Sequence, residues 1–212
     1  MLPDADTPWS PLPVDDVMDL MRGAPFFWCL AGGYAIERVV GRPYRAHGDI
    51  DIVVLRSDLE ALQQWLTRWH LFAADPPGCL RPWVAGEKLP WRVHDVWGHR
   101  EESQGWELQV MVQEAEAGSW YFRRDDRVQG RIDELMKIVH GVPCLRMDLQ
   151  LLYKAKSSRP KDETDFDQVL PHLSGEERRR LAEWLRLTCA NGHHWIAPLE
   201  MESGEGTLDS GP

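Results

Sequence analysis

The stretch LAGGYAIERVVGRPYRAHGDIDIVVL, residues 30–55, decides the fold of this chain. It begins inside the apolar run FFWCLA (26–31), which is typical of a short buried strand. Two glycines end that run, and apolar residues then recur at helical spacing over 36–40. The segment DIDIVVL (49–55) first alternates and then becomes continuously β-branched, which predicts a second strand. The stretch therefore predicts a strand, a Gly-Gly turn, a helix and another strand.

Two aspartates open the second predicted strand. Successive side chains of an extended strand point to opposite faces, so Asp49 and Asp51 share one face while Ile50 and Ile52 enter the core. Two carboxylates so placed repel each other unless a divalent cation lies between them. Mg²⁺ suits such a pair because it binds one or two carboxylates together with substrate phosphates. The pattern indicates metal-assisted phosphoryl or nucleotidyl transfer, and two solvated acids are the alternative.

The glycine pair Gly32-Gly33 follows the first strand and opens the helix. Small residues at this point let a phosphate approach the backbone N–H groups of the helix N-terminus. Taken alone, the pair indicates only a tight turn. In combination with the two aspartates at the start of the next strand, it predicts a nucleotide site.

Composition sets the outer limits. The 212 residues can bury one large core, and 43% hydrophobic with 27% charged residues is an ordinary globular balance. Acids outnumber Lys and Arg by 34 to 24, and the net charge of −10 argues against binding of long nucleic acid. The four cysteines form no CxxC pair, and no apolar run reaches the roughly 18 residues of a membrane span. We expect a cytoplasmic protein without membrane attachment.

The remaining pattern predicts an α+β fold with a small mixed β-sheet flanked by helices and followed by C-terminal helices. Strands are predicted over 92–98, 106–113, 119–123 and 136–145, helices over 148–156 and 161–170, and irregular structure over 72–91. We expect residues 1–146 to form the main domain and 147–196 to form a helical portion of the same unit. Residues 197–212, with four acids and no base, are expected to be a disordered tail.

The motifs resemble those of the DNA polymerase β-type nucleotidyltransferases, whose signature is a Gly-Gly or Gly-Ser turn followed by an hDxDh strand. More narrowly, residues 32–36, Gly41-Arg42 and 45–51 are similar to the small bacterial aminoglycoside and lincosamide adenylyltransferases. The segments WELQVMVQE, WYFRRD and LLYKAKSSRPKDETDF are similar to those of related nucleotidyltransferases. The resemblance extends over most of residues 26–170 and implies the nucleotidyltransferase fold.

The resemblance also implies an activity: transfer of a nucleoside monophosphate, AMP from ATP or another NMP from its NTP, to a hydroxyl, with release of pyrophosphate. One or two Mg²⁺ ions would be held by Asp49 and Asp51 against the triphosphate. The residues that it implies for nucleotide binding are Gly32, Gly33, Arg42, Arg45, Lys156 and Lys161.

Members of this family carry a third carboxylate on a neighbouring strand, as a metal ligand or as the base for the acceptor hydroxyl. Glu107 opens the predicted strand ELQVMV and projects onto the same face as Gln109, where an Asp would be expected. Glu107 is therefore our choice as the third catalytic and metal-binding acid. Asp95 on the preceding strand and Glu114 at the far end are the alternatives.

The acceptor is the least determined part of the hypothesis. A small hydroxylated molecule such as an aminoglycoside or lincosamide antibiotic is favoured, and the acidic balance suits a cationic acceptor. A toxin-type enzyme that modifies tRNA or a protein, and an inactive nucleotide-binding homologue, are the alternatives. The sequence is compatible with a monomer or a homodimer.

Overall fold

The computed structural model describes residues 6–201, which contain seven α-helices and ten β-strands. The helices are α1 (Val14–Leu20), α2 (Gly32–Val40), α3 (Leu59–Trp65), α4 (Met147–Ala155), α5 (Pro160–Val169), α6 (Gly175–Thr188) and α7 (Ile196–Glu200). The strands are β1 (Trp28–Ala31), β2 (Asp51–Leu55), β3 (Trp69–Ala74), β4 (Leu80–Pro82), β5 (Asp95–Arg100), β6 (Leu108–Glu116), β7 (Ser119–Phe122), β8 (Asp125–Arg131), β9 (Met136–Val139) and β10 (Val142–Leu145).

The strands form one mixed sheet in the order β4-β3-β5-β6-β2-β1-β10-β9, with β7 and β8 continuing from β6. The pairs β2–β6 and β1–β10 are parallel, and the other pairs are antiparallel. The predicted α+β class and mixed sheet are confirmed, although ten strands make the sheet larger than expected. Its register places Asp51 opposite Ala31 on one side and opposite Gln109 on the other. The end of β1, the start of β2 and the start of β6 therefore meet at one place.

The predicted strands and helices around this point are confirmed, but the prediction of irregular structure over 72–91 is wrong in part. That segment contains the end of β3 and the short edge strand β4. Strand β8, with the sequence DDRVQGR, was not predicted. Only one of its residues, Val128, is buried, so the apolar alternation that reveals a strand is missing.

The C-terminal helices pack on the same hydrophobic core as the sheet. Seven of the nine residues of α4 are buried, and Leu149, Leu181 and Leu199 belong to one core cluster with Leu30 and Ile52. Because α4 is surrounded by other elements, its polar side chains have to find partners inside the protein. Because α4 is buried, its side chains can contact strands of the sheet that are distant from α4 in the sequence.

The predicted tail overlaps ordered structure at its beginning. Helix α7 extends to Glu200, and Leu199 is buried, so 197–200 are not part of a disordered tail. Residues 202–212 lie outside the described part of the chain. Within residues 6–201, every helix is too short or too polar to cross a bilayer.

Candidate active site

The Gly-Gly turn is packed directly against the side chain of Asp51. Gly32 has φ +68, a left-handed conformation, and a Cβ added there would lie 2.0 Å from Oδ2 of Asp51. A Cβ on Gly33 would lie 2.2 Å from Nδ1 of His47. Only glycine fits at these two positions. At Gly32 both the left-handed backbone and the lack of space exclude a side chain, and at Gly33 the lack of space alone does so. The turn therefore brings the N-terminus of α2 as close to the Asp51 carboxylate as the backbone allows.

The amide of Gly32 already has a partner. Its N–H donates to Oε1 of Gln150 on α4 at 2.7 Å, a contact between residues 118 positions apart. Because the first amides of a helix have no partner within it, the amides that follow Gly32 are the ones available to a phosphate. That Gly33 contacts a phosphate stays a prediction. The structure shows that Gly32 packs on Asp51.

Asp51 is a buried carboxylate, only 9% exposed, at the first position of β2. Within residues 6–201 no hydrogen bond or ion pair reaches its side chain. Burial, and then the charge of Asp49, raise the pKa of Asp51 to about 7, although Lys154 acts in the opposite direction. A buried carboxylate with no close counter-charge is costly unless a cation neutralises it.

Asp49 lies just before β2 and not within it, so the prediction that both aspartates belong to the strand is wrong by two residues. The parallel ladder nevertheless continues backwards, because the amide of Gln109 donates to the carbonyl of Ile50 at 2.9 Å. The charge of Asp49 acts on Asp51 and also on Arg159. The structure therefore brings the two aspartates together as the sequence predicts.

These residues fit a hard divalent cation that is shared with a substrate. In the described part of the chain, no cluster of three or more His, Cys, Asp or Glu side chains could hold a metal ion. A cation between Asp49 and Asp51 would depend on further oxygens from substrate phosphates or water. Mg²⁺ binds in this way, with few protein carboxylates and several outside ligands.

The structure does not bring Glu107, our predicted third acid, to Asp51. Glu107 accepts hydrogen bonds from the backbone N–H and from Nε of Arg100, at 2.7 and 3.0 Å. Burial raises the pKa of Glu107, but the hydrogen bonds from Arg100 outweigh it and leave the pKa below its ordinary value. Glu107 directly precedes β6, and Arg100 is the last residue of β5. The β5–β6 hairpin therefore brings the two side chains together and keeps Glu107 on Arg100.

Of the two alternatives, Asp95 lies at the site. Gln109, which is opposite Asp51 in the register, donates from Nε2 to Oδ1 of Asp95 at 3.2 Å. The charge of Asp95 also raises the pKa of Asp51. Glu114 instead accepts two hydrogen bonds from Nε of Arg56 at 2.7 and 2.8 Å. Asp95 is therefore the third carboxylate that the structure places beside the aspartate pair.

Replacing Glu107 by glutamine tests this correction. We expect Glu107→Gln to lower the free energy of unfolding by about 1–3 kcal/mol, because charge-assisted hydrogen bonds to Arg100 are lost. If the chain binds a nucleotide with Mg²⁺, as the sequence predicts, that affinity should stay within about twofold of the wild type. Urea unfolding and calorimetric titration measure the two effects. Glu102→Gln is the matched control, since its exposed carboxylate lies 3.9 Å from the same arginine and is worth little.

Two lysines act on Asp51. The predicted residue Lys161 is one of them, and the other is Lys154, which was not predicted. The Lys154 side chain, 9% exposed, lies between Asp162 and Asp165, with Nζ at 3.3 and 2.7 Å from their carboxylates. Both carboxylates come from α5, so the position of Lys154 depends on helix packing that the local sequence does not reveal.

The two predicted arginines have other partners in the structure. Arg45 donates from Nε and Nη2 to the two carboxylate oxygens of Asp165, at 2.6 and 2.8 Å. Arg42 donates to Gln168 at 2.8 Å and follows the C-terminal end of α2. That helix has nine residues and is about 13 Å long, which separates Arg42 from the glycine turn at the other end. Arg45 clamps the loop to α5, and Arg42 does not reach the site.

The carboxylate of Asp165 is the centre of this clamp. It also accepts from the hydroxyl of Tyr44 at 2.7 Å, and it is fully buried. Burial raises the pKa of Asp165, but Arg45 and Lys154 outweigh this and lower it to about 2. The resulting stability is present above the ordinary carboxyl pKa of 3.8 and is lost as the pH falls from about 4 to about 2.

Asp165→Asn should therefore destabilise the protein by about 3–5 kcal/mol at pH 7, because Arg45 and Lys154, which are largely shielded from water, would lose their shared buried counter-charge. Urea unfolding at pH 7 measures this loss. The exposed Asp167 on the same helix provides the control variant Asp167→Asn, for which we expect a change below about 0.5 kcal/mol. Equal effects of the two substitutions would contradict the clamp.

A cavity of about 430 Å³ opens beside Asp95. It is lined by Ala74, Pro77, Gly78, Leu80, Arg92, His94, Asp95, Trp97, Gln109, Arg123, Arg124 and Lys156. Lys156, predicted to bind the nucleotide, thus lies on the Asp95 side, where it also borders a neighbouring cavity of about 490 Å³. The site as a whole consists of a glycine turn, a carboxylate pair, a third acid and an adjoining cavity.

This arrangement of turn, paired acids and mixed sheet defines the class: the chain has the nucleotidyltransferase fold. Residues 13–75 match the sequence model of the family Aminoglycoside-2''-adenylyltransferase. That segment contains the glycine turn and both aspartates of the pair. No sequence among the curated proteins matches the chain.

Solved structures support the same fold. The lincosamide antibiotic adenylyltransferase LnuA, bound to lincomycin, superimposes with a TM-score of 0.51 and 16% identity, over 76% of this chain and 96% of its own. The solution structure of the antibiotic-resistance factor ANT(2'')-Ia gives 0.53 and 13%, over 84% and 91%. ANT(2'')-Ia in complex with adenylyl-2''-tobramycin gives 0.50 and 12%, over 81% and 94%. The predicted resemblance to antibiotic adenylyltransferases is confirmed.

Proposed function

We propose that this protein is a Mg²⁺-dependent nucleotidyltransferase that transfers a nucleoside monophosphate, AMP from ATP or another NMP from its NTP, to a hydroxyl of a small molecule. The observation that carries the proposal is the buried carboxylate of Asp51, which has no close counter-charge among the described residues and is packed on the glycine turn beside Asp49. Such a pair is suited to a metal-bound triphosphate at the N-terminus of α2.

In this proposal the chain's own residues position both reactants. Asp49 and Asp51 would hold Mg²⁺, which supplies charge stabilisation for the phosphates when it is bound. Lys154 and Lys161 add positive charge on the same side. The amides that follow Gly32 at the start of α2 would face the triphosphate.

Asp95 is assigned to the acceptor. The acceptor oxygen forms a bond to the α-phosphorus, the bond from that phosphorus to the bridging oxygen breaks, and pyrophosphate leaves with its electron pair. Asp95 takes the proton of the attacking hydroxyl, and Gln109 keeps its carboxylate in place through the hydrogen bond at 3.2 Å. Because the matching family and the similar structures are named for aminoglycosides and lincosamides, these antibiotics are the first acceptors to test.

Isothermal titration with a non-hydrolysable ATP analogue, with and without Mg²⁺, tests the proposal. We expect Mg²⁺ to strengthen binding at least tenfold, and we expect Asp49→Asn to remove this gain. Asp126→Asn is a matched control, since Asp126 lies exposed on β8 and has no hydrogen bond or ion pair inside the range 6–201. Binding that ignores both Mg²⁺ and Asp49 would refute the proposed function.

Measuring the rate of turnover distinguishes the role of Asp95 from the role of the metal-binding pair Asp49 and Asp51. Asp95→Asn should keep the Mg²⁺-dependent binding of the analogue and lower the rate of pyrophosphate release by about 100-fold or more, because general-base catalysis is worth about that much. If Asp95→Asn turns over like the wild type, Asp95 is not the base.

A further inference from the structure

The cavity beside Asp95 has an unusual balance of charge. Four cationic side chains line it, namely Arg92, Arg123, Arg124 and Lys156, and Asp95 is its one carboxylate among the described residues. The chain as a whole has a net charge of −10. The acidic composition, which favoured a cationic acceptor, is therefore the opposite of what this cavity presents.

Three of these cations lack a counter-charge. Arg92 is paired with Asp75 at 2.8 Å, but no ion pair with a carboxylate of residues 6–201 involves Arg123, Arg124 or Lys156. Arginines nearby on the surface are paired, as Arg127 is with Asp125. Nη1 of Arg124 donates to the carbonyl of Tyr153 at 3.3 Å, and the other N–H groups of guanidiniums without an ion pair can bind an anion from outside.

Aromatic contacts hold the two arginines side by side. The guanidinium carbons of Arg123 and Arg124 lie 5.8 and 5.9 Å from the centre of the Tyr153 ring. The ring is fixed in turn, because its hydroxyl donates to Oε1 of Gln113 at 2.8 Å. Loss of surrounding water, and then the charge of Arg123, lower the pKa of Arg124. Two like charges kept together without an ion pair to a carboxylate of residues 6–201 are relieved when an anion binds between them.

This basic group lies on the acceptor side of the site. The lysines whose charges act on Asp51 are Lys154 and Lys161, whereas the charge of Asp95 acts on Arg124. Neither glycine of the turn lines the cavity in the part of the chain that the structure describes. Asp95 borders both regions, and we take the glycine turn as the donor side and the cavity as the acceptor side.

We propose that this cavity binds the acceptor through an anionic group, a phosphate or a carboxylate, which Arg123 and Arg124 hold while the acceptor hydroxyl lies at Asp95. The inference rests on the proposed function and specifies its substrate class: a hydroxylated anion in place of a polycation. Trp97 and Leu80 line the same cavity and would cover the apolar part of such a molecule.

Calorimetric titration of the full chain, saturated with Mg²⁺ and the ATP analogue, tests the inference with four probes. Glycerol 3-phosphate carries a hydroxyl and an anion, glycerol is its neutral counterpart, inorganic phosphate is the anion alone, and tobramycin is the polycation. We expect glycerol 3-phosphate to bind at least tenfold more tightly than glycerol and tobramycin. In the double variant Arg123→Gln/Arg124→Gln this preference should be lost, while the affinity for the ATP analogue changes less than about twofold.

The control variant is Arg131→Gln, which removes an exposed arginine that is paired with Asp133 at the end of β8. It should leave the affinity for every probe unchanged. A double variant that loses affinity for the ATP analogue as strongly as for glycerol 3-phosphate would assign the arginines to the donor triphosphate and overturn the inference. Failure of both phosphate probes to bind, or tighter binding of tobramycin, would also overturn it.

The two proposals fail in distinguishable ways. If the metal and the ATP analogue do not bind, or bind equally well to Asp49→Asn, the proposed function falls. If they bind as expected and the anion preference is absent, only the acceptor class is wrong. Titrations of inorganic phosphate without the ATP analogue keep the second test independent of the first.

Discussion

Gly32→Ala is expected to abolish Mg²⁺-dependent nucleotide binding and to lower the free energy of unfolding by about 2 kcal/mol or more. A left-handed backbone costs a non-glycine residue roughly 1–2 kcal/mol. The new methyl group would also lie 2.0 Å from Oδ2 of Asp51, so the carboxylate has to move. Urea unfolding measures the first effect, and calorimetric titration with the ATP analogue measures the second.

Gly41→Ala separates these two causes. Gly41 ends the same helix with φ +78, and nothing lies within 4 Å of the position that a Cβ would take. We expect this variant to show a similar backbone cost and to bind the nucleotide normally. If Gly32→Ala binds the nucleotide as Gly41→Ala does, close packing of the turn on Asp51 has no functional role.

Asp51→Asn should remove Mg²⁺-dependent binding and turnover altogether, and yet make the metal-free protein more stable at neutral or higher pH. The folded-state pKa of about 7 exceeds the ordinary value of 3.8. As the pH rises from about 4 to about 7, the unfolded chain releases this proton before the folded chain does, so the wild type loses stability over that window. The shift corresponds to about 4 kcal/mol at most, and it is constant above pH 7.

Urea unfolding of the metal-free protein from pH 4 to pH 8 measures this effect. The wild type should lose stability across the window relative to Asp51→Asn, and Mg²⁺ should stabilise only the wild type at pH 8. Asp126→Asn, on the surface, should follow the wild-type pH dependence. Identical pH profiles for wild type and Asp51→Asn would show that burial of this carboxylate carries no free-energy cost.

The first part of the site could be predicted from the sequence because its signals are local. Gly32, Gly33 and the aspartates lie within 20 residues, and strand alternation is enough to place Asp51 on the same face as Asp49. The third acid depends on which strand lies next to which. Glu107 has the predicted alternation, but Arg100 of the adjacent strand binds it, and Asp95 reaches the site through Gln109.

The basic residues of the site were harder to predict for a similar reason. Lysines and arginines have long side chains, and each binds whichever carboxylate the tertiary fold brings near. Arg45 meets Asp165, which lies 120 positions away, and Lys154 meets two acids of the next helix. The role of a basic residue near a motif is therefore harder to predict from the sequence than the role of a glycine or a carboxylate within the motif.

The contact of Gln150 with the Gly32 amide bears on how the gene of this chain could be recognised from its motif. The recognisable motif, within residues 13–75, needs a helix encoded more than a hundred codons downstream to fix its turn, and Arg45 needs α5 in the same way. A gene interrupted before codon 147 would keep every motif residue from Gly32 to Asp51 and still encode no working site. A search that scores the motif alone would count such a fragment as intact, whereas a search that also requires Gln150 and Asp165 would remove it.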